Sequence, residues 1–217
     1  MTDAGLVVSD RFAFRSLDAV ASLDDFGRYA DSAFALGRST FGHAESEEET
    51  VRHMLGDYVA LATDLRNDTV AGMTILSMST AAESPQTPLR RHERIERNAA
   101  VAHLQGTVTD PNARGLGLYR ELNRLRFEQI LDRSIRFVTT TTQNPKVERG
   151  VRSILNELVT QDRIVSWTLE TEVLPGLYGQ LLAANQPDIA GTPFEHLDPN
   201  AGDACSLLFD LHYPADA

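Results

Sequence analysis

One segment constrains this chain more than any other: Thr109 to Leu122, TDPNARGLGLYREL. Before it, Ala99 to Thr109 (AAVAHLQGTVT) has the apolar content and length of a strand. After it, Gly117 to Asp132 carries Leu118, Leu122, Leu125 and Ile130 at helical spacing, and Ser134 to Thr142 reads as a second strand. A strand, a helix and a strand within about 45 residues form a βαβ unit, so its strands run parallel and its crossover is right-handed. A proline ends the first strand, and two glycines open the helix. A helix start presents N–H groups with no intrahelical acceptor and the positive end of the dipole, and glycine lets an anion approach that backbone closely. The residues alone read either as a pyrophosphate cradle or as a plain tight turn. Neither GxxxxGK[ST] nor GxGxxG is present.

The flanking segments alternate strand and helix signals. Phe12 to Leu17 alternates as a strand, and Asp24-Asp25 opens a helix with Phe26, Tyr29, Ala30, Ala33 and Phe34 on one face. Ser46 followed by Glu49 is a capping box for a second helix through Val51, Met54 and Leu55. Tyr58 to Thr63 and Thr69 to Ser79 read as a hairpin turning at Arg66-Asn67-Asp68. Residues 81 to 98 combine prolines with a charge run, read as an exposed connector whose Arg90, Arg91, Arg94 and Arg97 pair with Glu93 and Glu96 or form an anion site. Val147 to Val159 is a further helix, Ile164 to Val173 a strand, Leu177 to Ala184 a short helix and Cys205 to His212 a last strand. No repeat or linker divides the chain, so the expectation is one domain over residues 1–217 with a mixed sheet and helices on its faces.

Composition narrows the function classes. With 217 residues, of which 42% are hydrophobic, the chain buries a full core. Its 31 acidic and 20 basic residues give a net charge of -11, which repels phosphate backbones and anionic lipid; neither a nucleic-acid nor a membrane partner is expected. Cys205 is the one cysteine and reads as a core strand residue, and no Cys/His cluster has metal-ligand spacing. No metal site is expected. The absence of a basic segment with an apolar run at the start, and of any run near the roughly 20 residues of a bilayer span, leads to a cytoplasmic expectation. Trp167, Phe12 and Phe14 read as core rather than as an aromatic cage.

The run Pro111 to Leu122, P-x-x-R-G-x-G-L-Y-x-x-L, resembles motif A of the GNAT superfamily of acetyl-CoA-dependent N-acyltransferases, [QR]-x-x-G-x-[GA], with Arg114 in the first position and Gly117 as the glycine. Tyr119 departs from the small last residue. The order of elements agrees over about residues 11 to 173, and Val70-Ala71-Gly72 is similar to the family's third-strand V-x-G. The resemblance implies an α/β (α+β) fold: a mostly antiparallel mixed sheet flanked by helices, with a central splayed parallel strand pair, here carrying an insert at about 174–204. It implies acetyl-CoA or another acyl-CoA as co-substrate between the two parallel strands. The pantetheine arm would lie along the backbone of Thr107, Val108 and Thr109, and the pyrophosphate on the N–H groups of Arg114, Gly115, Leu116, Gly117, Leu118 and Tyr119. Asn144 matches an asparagine that faces the arm; it is equally a turn residue before Pro145.

Acyl transfer to an amine needs a base for the ammonium proton and an acid for the thiolate. Where many relatives carry a glutamate, this chain has Gln105, which cannot accept the proton. His103, two residues earlier and on the same face by strand alternation, has a suitable intrinsic pKa. The relatives' tyrosine position falls on Val151, leaving Tyr119 and Tyr178 as stand-ins. The reading is an N-acyltransferase acting on a small-molecule or peptide amine. The acceptor would be held by the early helices around Phe34 to His43, the loop 81–98 and the insert. The alternative is an acyl-CoA-binding sensor or partner-binding module without turnover. A homodimer in which the apolar strand CSLLFDL completes a neighbour's sheet is also open.

Overall fold

In the computed structural model, which describes residues 6–7, 10–41, 46–84, 89, 93–177, 194–198 and 201–214, the strand and helix signals become the following elements. They are β1 (Leu6–Val7), β2 (Phe12–Val20), α1 (Ala30–Phe41), α2 (Glu47–Met54), β3 (Gly56–Asp64) and β4 (Thr69–Thr80). Then come β5 (Ala100–Thr109), α3 (Leu118–Asp132), β6 (Phe137–Thr142), α4 (Pro145–Thr160), β7 (Ser166–Leu174) and β8 (Ala204–His212). The strand order is β1-β2-β3-β4-β5-β6-β8-β7, a mostly antiparallel mixed sheet in which β5 and β6 run parallel. The chain divides into two compact units, Met1–Met78 with Leu104–Asp132 and Ser79–His103 with Arg133–Ala217, so β5 contributes residues to each. Of the expected features, His43, Arg90, Arg91, Tyr178 and nearly all of the helix from Leu177 to Ala184 lie outside the described residues.

In the first unit β2, β3 and β4 form an antiparallel meander, with Phe14 opposite Ala62 and Ala60 opposite Thr74. Every residue of β3 from Tyr58 to Asp64 is buried, the pattern of a strand covered on both faces. Phe26, Tyr29, Ala33, Leu36 and Met54 cover one face, packing on Val59, Leu61, Met73, Ile75 and Val108. On the other lies α3, whose Leu122 Cδ1 comes within 2.8 Å of where a Cβ on Gly72 would stand. The single helix expected from Asp24-Asp25 is two pieces. A 3-10 helix at Leu23–Tyr29 contains Gly27 at φ 55°, and this left-handed residue breaks the hydrogen-bond ladder before α1 begins. The capping box of α2 forms as read, the Glu49 N–H donating to Ser46 Oγ and the Ser46 N–H to the Glu49 carboxylate. At the β3–β4 turn the buried Asp64 carboxylate accepts from Arg11 and Arg66, which fixes the hairpin end.

In the second unit β6 pairs in parallel with β5 over Val101, Ala102 and His103. On its other side β6 pairs antiparallel with β8 over Phe137–Thr142, and β8 pairs with β7 from Ala204 to His212. The apolar strand around Cys205 is therefore an inner strand. It has no free edge with which to complete a neighbour's sheet, and β7 ends the ladder instead. Trp167 is half-buried, its indole N–H donating to Asn156 and Arg152 lying over its ring, so it caps the end of the packing rather than filling it. Arg94 approaches Glu170 of β7 at 4.0 Å, a different partner from the Glu93 and Glu96 expected from sequence distance. The connector is also less exposed than its charges suggested, because Ala81, Leu89 and Ile95 pack on Val101 and Phe137. No helix among the described residues is long and apolar enough to cross a membrane.

Candidate active site

The glycine turn sits where β5 ends. Asp110 donates its N–H to the Ala71 carbonyl of β4, and its side chain accepts from Asn112 N–H at 2.8 Å, opening a 3-10 turn at Pro111–Ala113. Ala113 is buried and pins this turn, while Arg114, Gly115, Leu116 and Gly117 are exposed. Gly115 and Gly117 stand at φ 78° and 82°, values that L side chains rarely adopt, and a Cβ on either would meet nothing within 4 Å. The glycines thus serve the backbone path and leave open space outside it. Within the expected cradle, the Arg114 and Leu116 N–H groups are used in the turn, donating to Pro111 and Ala113. Gly117 accepts from Glu121 N–H and is the N-cap of α3, so the N–H groups of Gly117, Leu118 and Tyr119 have no intrahelical acceptor. The starts of α2 and α4 are capped by the Ser46 and Asn144 side chains; glycine has none to offer.

Upstream of the turn, β5 departs from simple alternation. The Gln105 side chain accepts from Ser77 Oγ at 2.7 Å and reaches the His53 carbonyl at the end of α2. The next residue also faces that side, since a Cβ on Gly106 would lie 3.1 Å from the Phe41 ring of α1. Thr107 turns the other way, its hydroxyl bonded to Thr74 at 2.7 Å and to Asn123 of α3. Two consecutive residues on one side are the mark of a β-bulge, and the strand pairing agrees. Between the hydrogen bonds Asp110–Ala71 and Ala81–Ala99, which flank the β4–β5 pair, the chain advances ten residues on the β4 side and eleven on the β5 side. Alternation therefore does not carry a common face through Gln105 to Thr107.

Behind the bulge is a polar group that sequence periodicity missed. On α3, Asn123 and Arg126 are buried, whereas the expected Leu125 is only half-buried. Arg126 lies two turns from Leu118 on the inward stripe, where a leucine was the natural expectation. Burial lowers its pKa to about 10, opposed by the Tyr119 phenol, so it keeps its charge at neutral pH. Tyr119 is half-buried, and burial raises its phenol pKa against the opposing effect of Arg126; it stays protonated as a donor. His53, whose ring packs edge-on to Phe41 with centroids 5.8 Å apart, was also missed because it stands at an unremarkable helix end.

In the second unit His103 Nδ1 lies 3.1 Å from Thr139 Oγ1, its register partner on β6. Asn144 caps α4, its Oδ1 accepting from Lys146 N–H at 2.9 Å, which leaves Nδ2 as the atom it can offer a ligand. Val151 is fully buried. The Cys205 thiol is buried, with its pKa pushed up to about 11 by desolvation and then by Glu148, as suits a core residue. A cavity of about 330 Å³ near the connector is lined by Arg94, Glu96, Ser134 and Arg136, and Asp210 already holds Arg136 through two hydrogen bonds.

Neither a protein-family model nor a curated protein sequence matches the chain. Solved structures do. NAA60 of Arabidopsis thaliana in complex with acetyl-CoA is similar at a TM-score of 0.55 and 14% identity, covering 92% of this chain and 98% of that one. The same protein with a bisubstrate analogue gives 0.56 at 13% identity, covering 94% and 99%. The ribosomal-protein-S18-alanine N-acetyltransferase of Escherichia coli gives 0.55 at 12%, covering 94% and 96%. The fold is that of the GNAT acetyltransferases. At these identities the likeness shows the fold alone, and it spans nearly the whole length of each GNAT structure.

Proposed function

We propose that this protein transfers an acetyl or other acyl group from acyl-CoA to an amine of a small molecule or peptide. The observation that carries this reading is the start of α3, a helix of 15 residues whose N-cap is an exposed glycine at φ 82° with open space around it. Three N–H groups and the positive end of the helix dipole suit a pyrophosphate, and exposed Arg114 stands beside them. The neighbours' cargo supports the same ligand, since NAA60 is seen with acetyl-CoA and with a bisubstrate analogue. An amide-bearing arm continuing from that pyrophosphate would follow the β5 backbone at Thr107, Val108 and Thr109, with Val108 contributing main chain only because its side chain is core.

Acyl-CoA supplies an activated thioester. This chain's task is to place it against the amine: the N–C bond forms, the C–S bond breaks, the amine proton leaves to a base and the thiolate gains a proton. Gln105 offers a hydrogen bond but no proton acceptor, so His103, on the same strand, is the base we assign. Tyr119, which stays protonated, is the proton donor we assign. The acceptor belongs to the class named in the Escherichia coli neighbour, an amine on a peptide, or to small amines.

The test is heat stabilisation of the purified protein by acetyl-CoA and longer acyl-CoAs, with NADH as control. A rise specific to CoA esters supports the reading, and no rise with any CoA ester overturns it. Stabilisation without acyl transfer to any member of a peptide and amine panel would instead make the protein a sensor, the alternative that Gln105 and Val151 leave open.

A further inference from the structure

Arg126 is a buried charge that the proposed chemistry does not use. It is 2% exposed, and no carboxylate among the described residues pairs with it. Its Nη1 donates to the carbonyls of Ile75 on β4 and Gly106 on β5, at 3.0 and 3.4 Å, and its Nη2 donates to Asn123 Oδ1. The Nε–H has no hydrogen-bond partner. Such an arrangement is costly, because a guanidinium loses its hydration and one donor goes unmet, while a leucine would fill the same inward position of α3 without either cost.

The location explains the cost. Gly106 is the second residue of the β5 bulge, and its carbonyl accepts from two side chains, Arg126 and Thr74. Asn123, held by Arg126, in turn donates to Thr107 Oγ1 and to the Tyr119 carbonyl in the first turn of α3. One guanidinium therefore ties together the bulge, the facing carbonyl of β4 and the residue that follows the bulge. The planar fork suits this work, since it reaches several acceptors in a fixed geometry that a lysine cannot reproduce.

We propose that Arg126 is a positioning residue: it holds the bulge at Gln105–Gly106 and so aims the Thr107–Thr109 backbone that takes the pantetheine arm. This rests on the acyl-CoA reading. Arg126 touches no ligand itself, and the Gly117–Tyr119 cradle stands at the other end of α3's first turns. Loss of Arg126 should thus weaken the hold on the arm and spare the hold on the phosphates.

The experiment compares calorimetric binding of two probes, acetyl-CoA and adenosine 3′-phosphate 5′-diphosphate, the CoA fragment that ends at the pyrophosphate. Wild type, Arg126→Met and Arg126→Lys are used, each with a cooperative melt as the test of folding. In Arg126→Met the expected result is an acetyl-CoA affinity about tenfold weaker with the fragment's affinity within about twofold of wild type. Arg126→Lys, which keeps the charge but not the fork, should fall between the two and carries the test if the methionine variant does not fold. A ratio of the two affinities that stays at the wild-type value overturns the inference, whether both affinities fall together or neither moves. Wild type that binds neither probe overturns the acyl-CoA reading and the inference with it.

Discussion

Substituting Gly117 separates the fold's requirement from the ligand's. At φ 82° an L residue sits in left-handed backbone at a cost of about 1–2 kcal/mol, and no steric cost adds to it because a Cβ there meets nothing within 4 Å. For a chain of 217 residues this lowers the melting temperature by roughly 2–8 °C. Gly117→Ala should show that loss and Gly117→Asp a somewhat smaller one, since aspartate enters left-handed backbone more readily and its charge favours the helix start. They should differ with ligand. Wild type in acetyl-CoA at about 100 times its dissociation constant gains about 2.7 kcal/mol, a rise of roughly 5–11 °C. Gly117→Ala should keep part of that rise, and Gly117→Asp should lose it, because a carboxylate stands where the pyrophosphate's negative charge must sit. The assay is a thermal scan of the three proteins with and without acetyl-CoA. A Gly117→Asp protein with the expected lower baseline and the full wild-type rise would refute the phosphate cradle.

Other expectations follow from single sites. His103→Ala should lower kcat about 100-fold or more while acetyl-CoA affinity stays near wild type; unchanged turnover removes His103 as the base. The Asp64 carboxyl is held well below the usual carboxylate range by hydrogen bonds from Arg66 and then Arg11. A depressed folded pKa stabilises above the unfolded value and fades as pH falls through the folded one, so the urea-midpoint gap between wild type and Asp64→Asn should narrow progressively below about pH 4. A gap that holds constant into strong acid would mean that the two arginines do not favour the ionised form. Cys205, buried with its thiol pushed up to about 11, should react with a disulfide reagent only at the rate of unfolding, and prompt reaction in native buffer would contradict its packing.

Much of the architecture was legible because it rests on local chemistry. The Ser46–Glu49 box, the hairpin around Arg66 to Asp68 and the turn glycines each work over three or four residues, and all appear where the spacing placed them. The parallel pairing of β5 and β6 followed from a strand, a helix and a strand too close together for another route. Where the reading failed, a partner distant in sequence decided the outcome. Arg94 took Glu170, and the place of the Cys205 strand, left open by the sequence, was settled between β6 and β7.

The sequence by itself determined most of the order of elements, the Ser46 cap of α2 and the glycine turn at the start of α3, because backbone conformation and hydrophobic periodicity are properties of neighbouring residues. Only the tertiary structure decided what lies behind that turn. The helical spacing put Leu125 inward, and nothing local says that the guanidinium at position 126 will turn in to the carbonyls of Ile75 and Gly106, 51 and 20 residues away along the chain. Alternation likewise puts Gln105 and Thr107 on one face until an inserted residue turns them apart. A bulge and a buried charge depend on strands and helices meeting in space, and no local pattern carries that information.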